Sequence, residues 1–305
     1  MKILITGGLG YLGAELSSLL SKNKEVKKIT ILDKAIYGVG HIAPFIKSKI
    51  KLKIADIRDD FILRETIKDA DVIVHLAGLV GAPLVDRKKV EAYDTNIEGT
   101  KKLAKLVSNN QKLIFASTGS CYGKINGVCS EDSPISPLSS YGRHKAEGEK
   151  IISEVGGISL RFATVYGLSF RTRNDLYINN MVKRAIIDKS AVIYEGKARR
   201  TFIHIADAAR ATEHLIINNP KHGVYNVGDD RLSFSKIEIC QHIKRYTKFE
   251  IIENEYSSDP DQRDYIVDYS RIYQIGFEPK RNFNDELETI VEYYKALFDS
   301  KYENG

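Results

Sequence analysis

At 305 residues the chain has room for one large α/β unit and a smaller appendage, not for several independent domains. A hydrophobic share of 43% and a charged share of 28% are those of a globular protein, and no apolar run approaches the length of a transmembrane helix. The net charge of +6 comes from 46 basic and 40 acidic residues spread along the chain, so no clustered basic surface for nucleic acid is expected. Cys121, Cys129 and Cys240 are an odd number without metal-ligand spacing. With MKILITGG entering a strand at once rather than a secretory leader, they point to a cytoplasmic protein without a metal.

Short β-branched runs at Lys2–Thr6, Lys28–Asp33, Lys51–Ala55, Val72–Leu76, Lys112–Ser117 and Ile158–Phe162 predict buried parallel strands. Helical patterns stand between them at Tyr11–Lys22, Asp60–Lys68, Asp86–Val107 and Tyr141–Val155. Such alternation predicts right-handed crossovers and a doubly wound sheet. The turn-rich stretch Ser130 to Ser140 predicts a loop across the mouth of a site. Beyond Gly167 the pattern gives a helix at Leu176–Asp188, short strands at Val192–Tyr194 and Thr201–Ile203, and a helix at Ala206–Ile217. A strand at Val224–Val227, a helix at Phe234–Tyr246, a strand near Phe249–Ile252 and a helix at Asp285–Phe298 complete it. The expected division is a Rossmann-type α/β domain over residues 1–167, with 204–228 returning to it. A smaller α/β substrate domain would be made of 168–203 and 229–305.

The opening ILITGGLGYLG places Gly7, Gly10 and Gly13 after a strand and at the head of a helix. The first glycine permits the tight turn, the second lets backbone approach a pyrophosphate, and the third lets helix and strand pack closely. A glycine triplet alone is weak, but Asp33 ends the second strand about 20 residues beyond Gly13, where a carboxylate can bind ribose hydroxyls. Asp56 follows the third strand and could accept from an adenine amino group, although either acid could equally be a strand-end or capping residue. Leu76-Ala77-Gly78 leave room for a cofactor after the fourth strand. An acid at position 33 repels a 2′-phosphate and so favours NAD over NADP.

Tyr141-Gly-Arg-His-Lys145 sets a phenol and an ammonium four apart on one helix face. A nearby cation favours the phenolate and lets tyrosine act as a base. The same spacing also describes a solvated surface pair. What precedes it favours chemistry: the fifth strand ends in Ser117-Thr118-Gly119-Ser120-Cys121-Tyr122-Gly123, with hydroxyls where ligands bind in such sheets. Thr118 is placed to bond a substrate hydroxyl, and Ser117 to make a structural bond to backbone.

With these residues the sequence closely resembles the extended short-chain dehydrogenases, the NAD-dependent nucleotide-sugar epimerase/dehydratase family. The likeness runs through TGGLGYLG, His75-Leu-Ala-Gly78, Asn96, STGSCYG, Tyr141-xxx-Lys145 and Leu160-Arg-Phe-Ala-Thr-Val-Tyr-Gly167. It continues through Arg200-Thr-Phe-Ile-His-Ile-Ala-Asp207 and Pro260-Asp-Gln-Arg-Asp264. The resemblance implies Tyr141 as base, Lys145 as its modulator and Thr118 as hydroxyl partner. It implies cofactor contacts from Gly7, Gly10, Tyr11, Leu12, Asp33, Asp56, Ile57, Leu76, Ala77, Gly78 and Asn96, with Tyr141 and Lys145. Arg200 and Arg263 match positions that hold a substrate diphosphate, which guanidinium forks suit; His204 is expected to be structural.

Departures from the family pattern narrow the chemistry. Gly119-Ser120 stand where 4,6-dehydratases have Asp-Glu, so dehydration is not expected. Epimerases acting at C3 and C5 have a cysteine where this chain has Ser120. Thr164 replaces an asparagine found near the substrate phosphate in many epimerases. The segments Leu79-Val80-Gly81-Ala82-Pro83 and Phe170-Arg171-Thr172-Arg173-Asn174-Asp175 resemble a subgroup that includes C4 dehydrogenases of nucleotide-linked sugars. Val80, Gly81, Ser120 and Arg171 would line the sugar pocket. The expected function is redox chemistry at C4 of a nucleoside-diphosphate sugar, first as a 4-epimerase and alternatively as a C4 dehydrogenase or 4-ketoreductase. A non-catalytic dinucleotide sensor is the reading of another class. The resemblance also implies a homodimer, built as a four-helix bundle from the faces of Asp86–Val107 and Tyr141–Val155.

Overall fold

The structure, a computed structural model, describes all residues except 47, 48, 126, 219, 255–265 and 303–305, and for 299–302 the main chain only. Its strands are β1 (Lys2–Thr6), β2 (Lys28–Asp33), β3 (Ile50–Ile54), β4 (Val72–His75), β5 (Lys112–Thr118), β6 (Val128–Cys129) and β7 (Ile158–Phe162). They continue with β8 (Thr164–Tyr166), β9 (Ser190–Tyr194), β10 (Arg199–His204), β11 (Gly223–Val227), β12 (Asp229–Ser235), β13 (Glu250–Asn254) and β14 (Ile266–Val267). The helices are α1 (Tyr11–Lys22), α2 (Asp60–Ile67), α3 (Ala82–Arg87), α4 (Lys89–Tyr93), α5 (Gly99–Leu106) and α6 (Ser140–Glu154). They continue with α7 (Tyr177–Ile187), α8 (Ile205–Asn218), α9 (Lys236–Lys244), α10 (Ser270–Gln274) and α11 (Phe283–Tyr302).

Seven strands pair in parallel in the order β3-β2-β1-β4-β5-β7-β11. The apolar runs of β1, β4 and β5 are buried because helices cover both faces. Leu16 and Leu20 of α1 pack with Ala208 and Leu215 of α8 on one face. Leu63, Leu103 and Ile152, from α2, α5 and α6, cover the other. Strand order reverses between β1 and β4, so a crevice opens beyond their C-terminal ends, where such sheets bind ligands. A second core gathers Val182 of α7, Ile193 of β9, Phe202 of β10, Ile239 of α9 and Leu287 of α11.

Two expected helices take another form. Asp86–Val107 is not continuous: the chain turns at Lys88 (φ −122°, ψ 50°) between α3 and α4, and a π-helical turn at Asp94–Glu98 precedes α5. The π turn presents Asn96 to the main chain of Leu79, donating to its carbonyl at 2.9 Å and accepting from its N–H at 2.7 Å. Phe234 and Ser235 belong to β12 rather than to a helix. Ser235 then caps α9 in a reciprocal bond with Glu238, which fixes the helix start at Lys236.

Candidate active site

The turn after β1 is bare backbone by necessity. Gly7 has φ +72°, and a Cβ there would stand 2.6 Å from the Ala77 nitrogen; one on Gly13 would stand 2.5 Å from the Gly7 carbonyl oxygen. Gly78 is equally tight, its Cβ position lying 2.8 Å from Asn96 Oδ1. The ends of β1 and β4 and the N-terminus of α1, with Gly10, Tyr11 and Leu12, thus form a glycine-lined cradle in which a pyrophosphate fits against backbone N–H groups. Asp33 stands beside it. Its carboxylate accepts from Leu9 N–H at 3.0 Å and Ala35 N–H at 2.9 Å, leaving lone pairs for ribose hydroxyls. Asp56 forks onto Arg58 and lies 3.2 Å from Lys34, and these bonds hold its carboxyl below the ordinary range. Ile57 is buried against Gly99.

A chain of hydrogen bonds fixes the fourth strand end. Ala77 N–H donates to Thr6 Oγ1, which donates to His75 Nδ1. His75 Nε2 donates to Thr100 Oγ1, because the Thr100 hydroxyl proton is given to the Asn96 carbonyl. Burial pushes His75 down to about 3, so the ring stays neutral and Leu76 and Ala77 are held open toward the crevice.

Helix α6 carries the phenol and the ammonium. Ser139 caps it, accepting from Gly142 N–H at 3.1 Å. Gly142 and Gly148 let it lie close to β5: Cβ atoms there would stand 3.0 Å from the Ser120 carbonyl and 2.7 Å from the Phe115 ring. Half-buried Tyr141 therefore stands beside the turn that carries Thr118 and Ser120. Thr118 accepts from Ser120 N–H at 3.2 Å and donates to Ser120 Oγ at 3.1 Å. Lys145 is 4% exposed, donates to the Ala116 carbonyl at 2.6 Å, and lies 4.6 Å above the Phe115 ring. Burial lowers it to about 8, so at neutral pH it remains mostly charged.

Beyond Thr118 a cavity is lined by Gly119, Thr164, Arg200, Thr201 and Tyr269. Arg200 is buried, 5.4 Å over the Tyr177 ring. Gly81 (φ +89°) heads α3, with Val80 before it, and Arg173 Nη2 lies 3.8 Å from its Cβ position. Arg171 stacks on Tyr37 at 3.6 Å instead of reaching Gly81, so Arg173 is the guanidinium beside that edge of the crevice. Arg263, with Pro260 to Asp264, lies outside the described residues. His204 accepts from Ala206 N–H at 3.3 Å and faces Glu286 of α11 at 3.2 Å, contacts that suit a structural role. Among the described residues no three His, Cys, Asp or Glu side chains stand together as a metal site.

The sequence profile of the NAD dependent epimerase/dehydratase family matches residues 3–228. The chain belongs to this family. NAD is its cofactor, and the glycine cradle fits that molecule. Among relatives, a putative UDP-glucose 4-epimerase of Methanocaldococcus jannaschii is 28% identical over 96% of this chain and 98% of its own length. The UDP-glucose 4-epimerase of Lactobacillus helveticus is 28% identical over 97% and 98%. The crystal structure of UDP-glucuronic acid 4-epimerase from Bacillus cereus, in complex with UDP-glucuronic acid and NAD, superposes with a TM-score of 0.87. It is 27% identical over 97% of this chain and 100% of that one.

Within this family chain one expected bond differs. Ser117 Oγ donates to the Glu149 carboxylate rather than to backbone. Glu149 is buried and forked onto Arg161 of β7, whose Nη1 reaches the Glu131 carbonyl at 3.3 Å. Glu149 lies four residues after Lys145 on the same helix face, a spacing that could have flagged it.

Proposed function

We propose that this chain is an NAD-dependent 4-epimerase of a nucleoside-diphosphate sugar. The observation that carries it is the buried Lys145 ammonium, on the same face of α6 as Tyr141 and bonded to the Ala116 carbonyl of β5. A cation held there favours the Tyr141 phenolate. Tyr141 takes the proton of the C4 hydroxyl while Thr118 orients that oxygen, and the C4–H bond gives up its electron pair as hydride, leaving a 4-keto sugar. NAD supplies the hydride acceptor and, on the opposite sugar face, the donor. Tyr141 then returns the proton to O4, so no net oxidation occurs and no second oxidant is needed.

Arg200, Thr164 and Arg263 are assigned to the diphosphate, and Val80, Gly81 and Ser120 to the sugar, with Arg173 beside Gly81 in place of the expected Arg171. Asp33, Asp56, Ile57, Gly78 and Asn96 are assigned to the adenosine side and nicotinamide wall of the cofactor site. We further propose the division into 1–167 with 204–228, and 168–203 with 229–305, a cytoplasmic location that keeps the three cysteines reduced, and a homodimer through α4 and α6. Tyr141→Phe tests the base. It should lower kcat by 10²- to 10⁴-fold, on the order expected for loss of a general base, while NAD still copurifies. Activity within about tenfold of the parent would remove Tyr141 from that role.

A further inference from the structure

Two surface segments meet at the cofactor crevice, and each is tied to the glycine turn. The first follows β2 directly after Asp33, passes Ala35 (φ +57°) and Gly38 (φ +77°), and forms a 3-10 turn at Gly40–Phe45. Its His41 Nε2 donates to the Leu9 carbonyl at 3.0 Å, and Leu9 N–H donates to Asp33. The second runs from Gly167 to Asp175. Tyr11 donates its hydroxyl to the Gly167 carbonyl at 2.8 Å, and Ser169 Oγ donates to the Tyr11 carbonyl at 2.9 Å. Asn179 braces the segment from behind through Gly167 and the Arg173 carbonyl.

Between these anchors the segments touch through rings and one cation. Phe170 meets Phe45 edge-on at 4.6 Å, and the Arg171 guanidinium lies 3.6 Å from the Tyr37 ring centre. Tyr37 remains 53% exposed and Phe170 39% exposed. Neither ring belongs to a packed core, whereas Phe45 is 4% exposed and does, so the Tyr37–Arg171 pair can part while Phe45 stays seated. One segment begins at the residue assigned to ribose and the other is fastened to the first turn of α1. The contact therefore bridges the adenosine side of the cradle.

We propose that Tyr37 and Arg171 form a clasp that retains NAD, so that the cofactor leaves only when this pair parts. The same segment brings Arg173 beside Gly81, which joins cofactor retention to the wall of the sugar pocket. Retention suits an enzyme that must keep its reduced cofactor until the hydride is returned. The inference rests on the NAD-binding role of the glycine turn and not on which sugar is turned over.

The test is NAD release from the loaded full-length chain without sugar, followed at 340 nm as freed NAD is reduced by excess alcohol dehydrogenase and ethanol. Tyr37→Ala and Arg171→Ala should each release NAD about three- to fivefold faster, the size of one surface cation–π contact. The double variant should be no faster than either single, because both remove one interaction. Tyr37→Phe, which keeps the ring face, should behave as the parent. Release at the parent rate in both alanine variants, or rates that multiply in the double variant, would overturn the clasp. A parent chain that binds no NAD would instead overturn the role of the glycine turn.

Discussion

Lys145 is held by opposing effects that set its proton affinity. Burial lowers it to about 8, while the Glu149 carboxylate and Cys121 oppose the shift. Burial also pushes the Cys121 thiol up to about 12 and keeps His75 neutral, which leaves the Glu149 carboxylate, paired with Arg161 at 2.7 Å, as the counter-charge on this helix face. A cationic Lys145 is needed to sustain the phenolate. Activity should therefore fall as pH rises through about 8. Glu149→Gln removes the opposing charge, lowers the Lys145 affinity further, and should move the basic limb of kcat to lower pH by about one unit. Gln keeps an acceptor for Ser117 and Arg161, although a buried guanidinium left without its counter-charge costs about 3–5 kcal/mol. A limb that stays in place in a folded variant would remove Glu149 from this role. Tyr141 and Lys145 were legible because both lie in one short segment with a fixed period. The Ser117–Glu149–Arg161 link was not, because it joins three elements whose adjacency exists only in the fold.

At the scale of elements, strands were easier to read than helices. Buried parallel strands have continuous β-branched runs, and β1, β2, β4, β5 and β7 follow these within two residues. The stretch 86–107 kept a helical pattern throughout, yet Asn96 draws the chain into a π turn by bonding Leu79 twice. Sequence periodicity does not register a side chain's partner 17 positions away. Likewise β8 and β12 were missed: β8 has only three residues, β12 is a largely polar DDRLSFS run, and both pair with β10 rather than with sequence neighbours. The broken helix still presents a face: Val90 is 76% exposed and Tyr93 43% exposed, beside a surface cavity shared with Arg143 and His144 of α6. An exposed valine flanked by an aromatic ring suits a second copy of the chain. In analytical ultracentrifugation the parent chain should run as the proposed dimer and Val90→Glu should shift it toward monomer; a mass that Val90→Glu leaves unchanged would overturn the proposed interface.

For the whole molecule, the doubly wound sheet was legible from strand–helix alternation, and the glycine turn lies at its switch point. The second core was less legible, since α7, β9, β10, β12, α9 and α11 come from separated stretches and assemble only by packing. Where Arg263 lies relative to Arg200 is outside the described residues. Among those described, no helix is long and apolar enough to cross a membrane. The glycine cradle lies at the switch point of the sheet, and a cavity lined by Gly119, Thr164 and Arg200 lies beyond the end of β5. In the proposed reaction hydride leaves C4 and returns to it within one binding event. The direct measurement is turnover of a nucleoside-diphosphate hexose deuterated at C4, with product analysed by mass spectrometry and absorbance followed at 340 nm. A 4-epimerase yields a 4-epimer that keeps its deuterium, with no accumulation of reduced cofactor; a released 4-keto sugar with one reduced cofactor per turnover would rule the epimerase out.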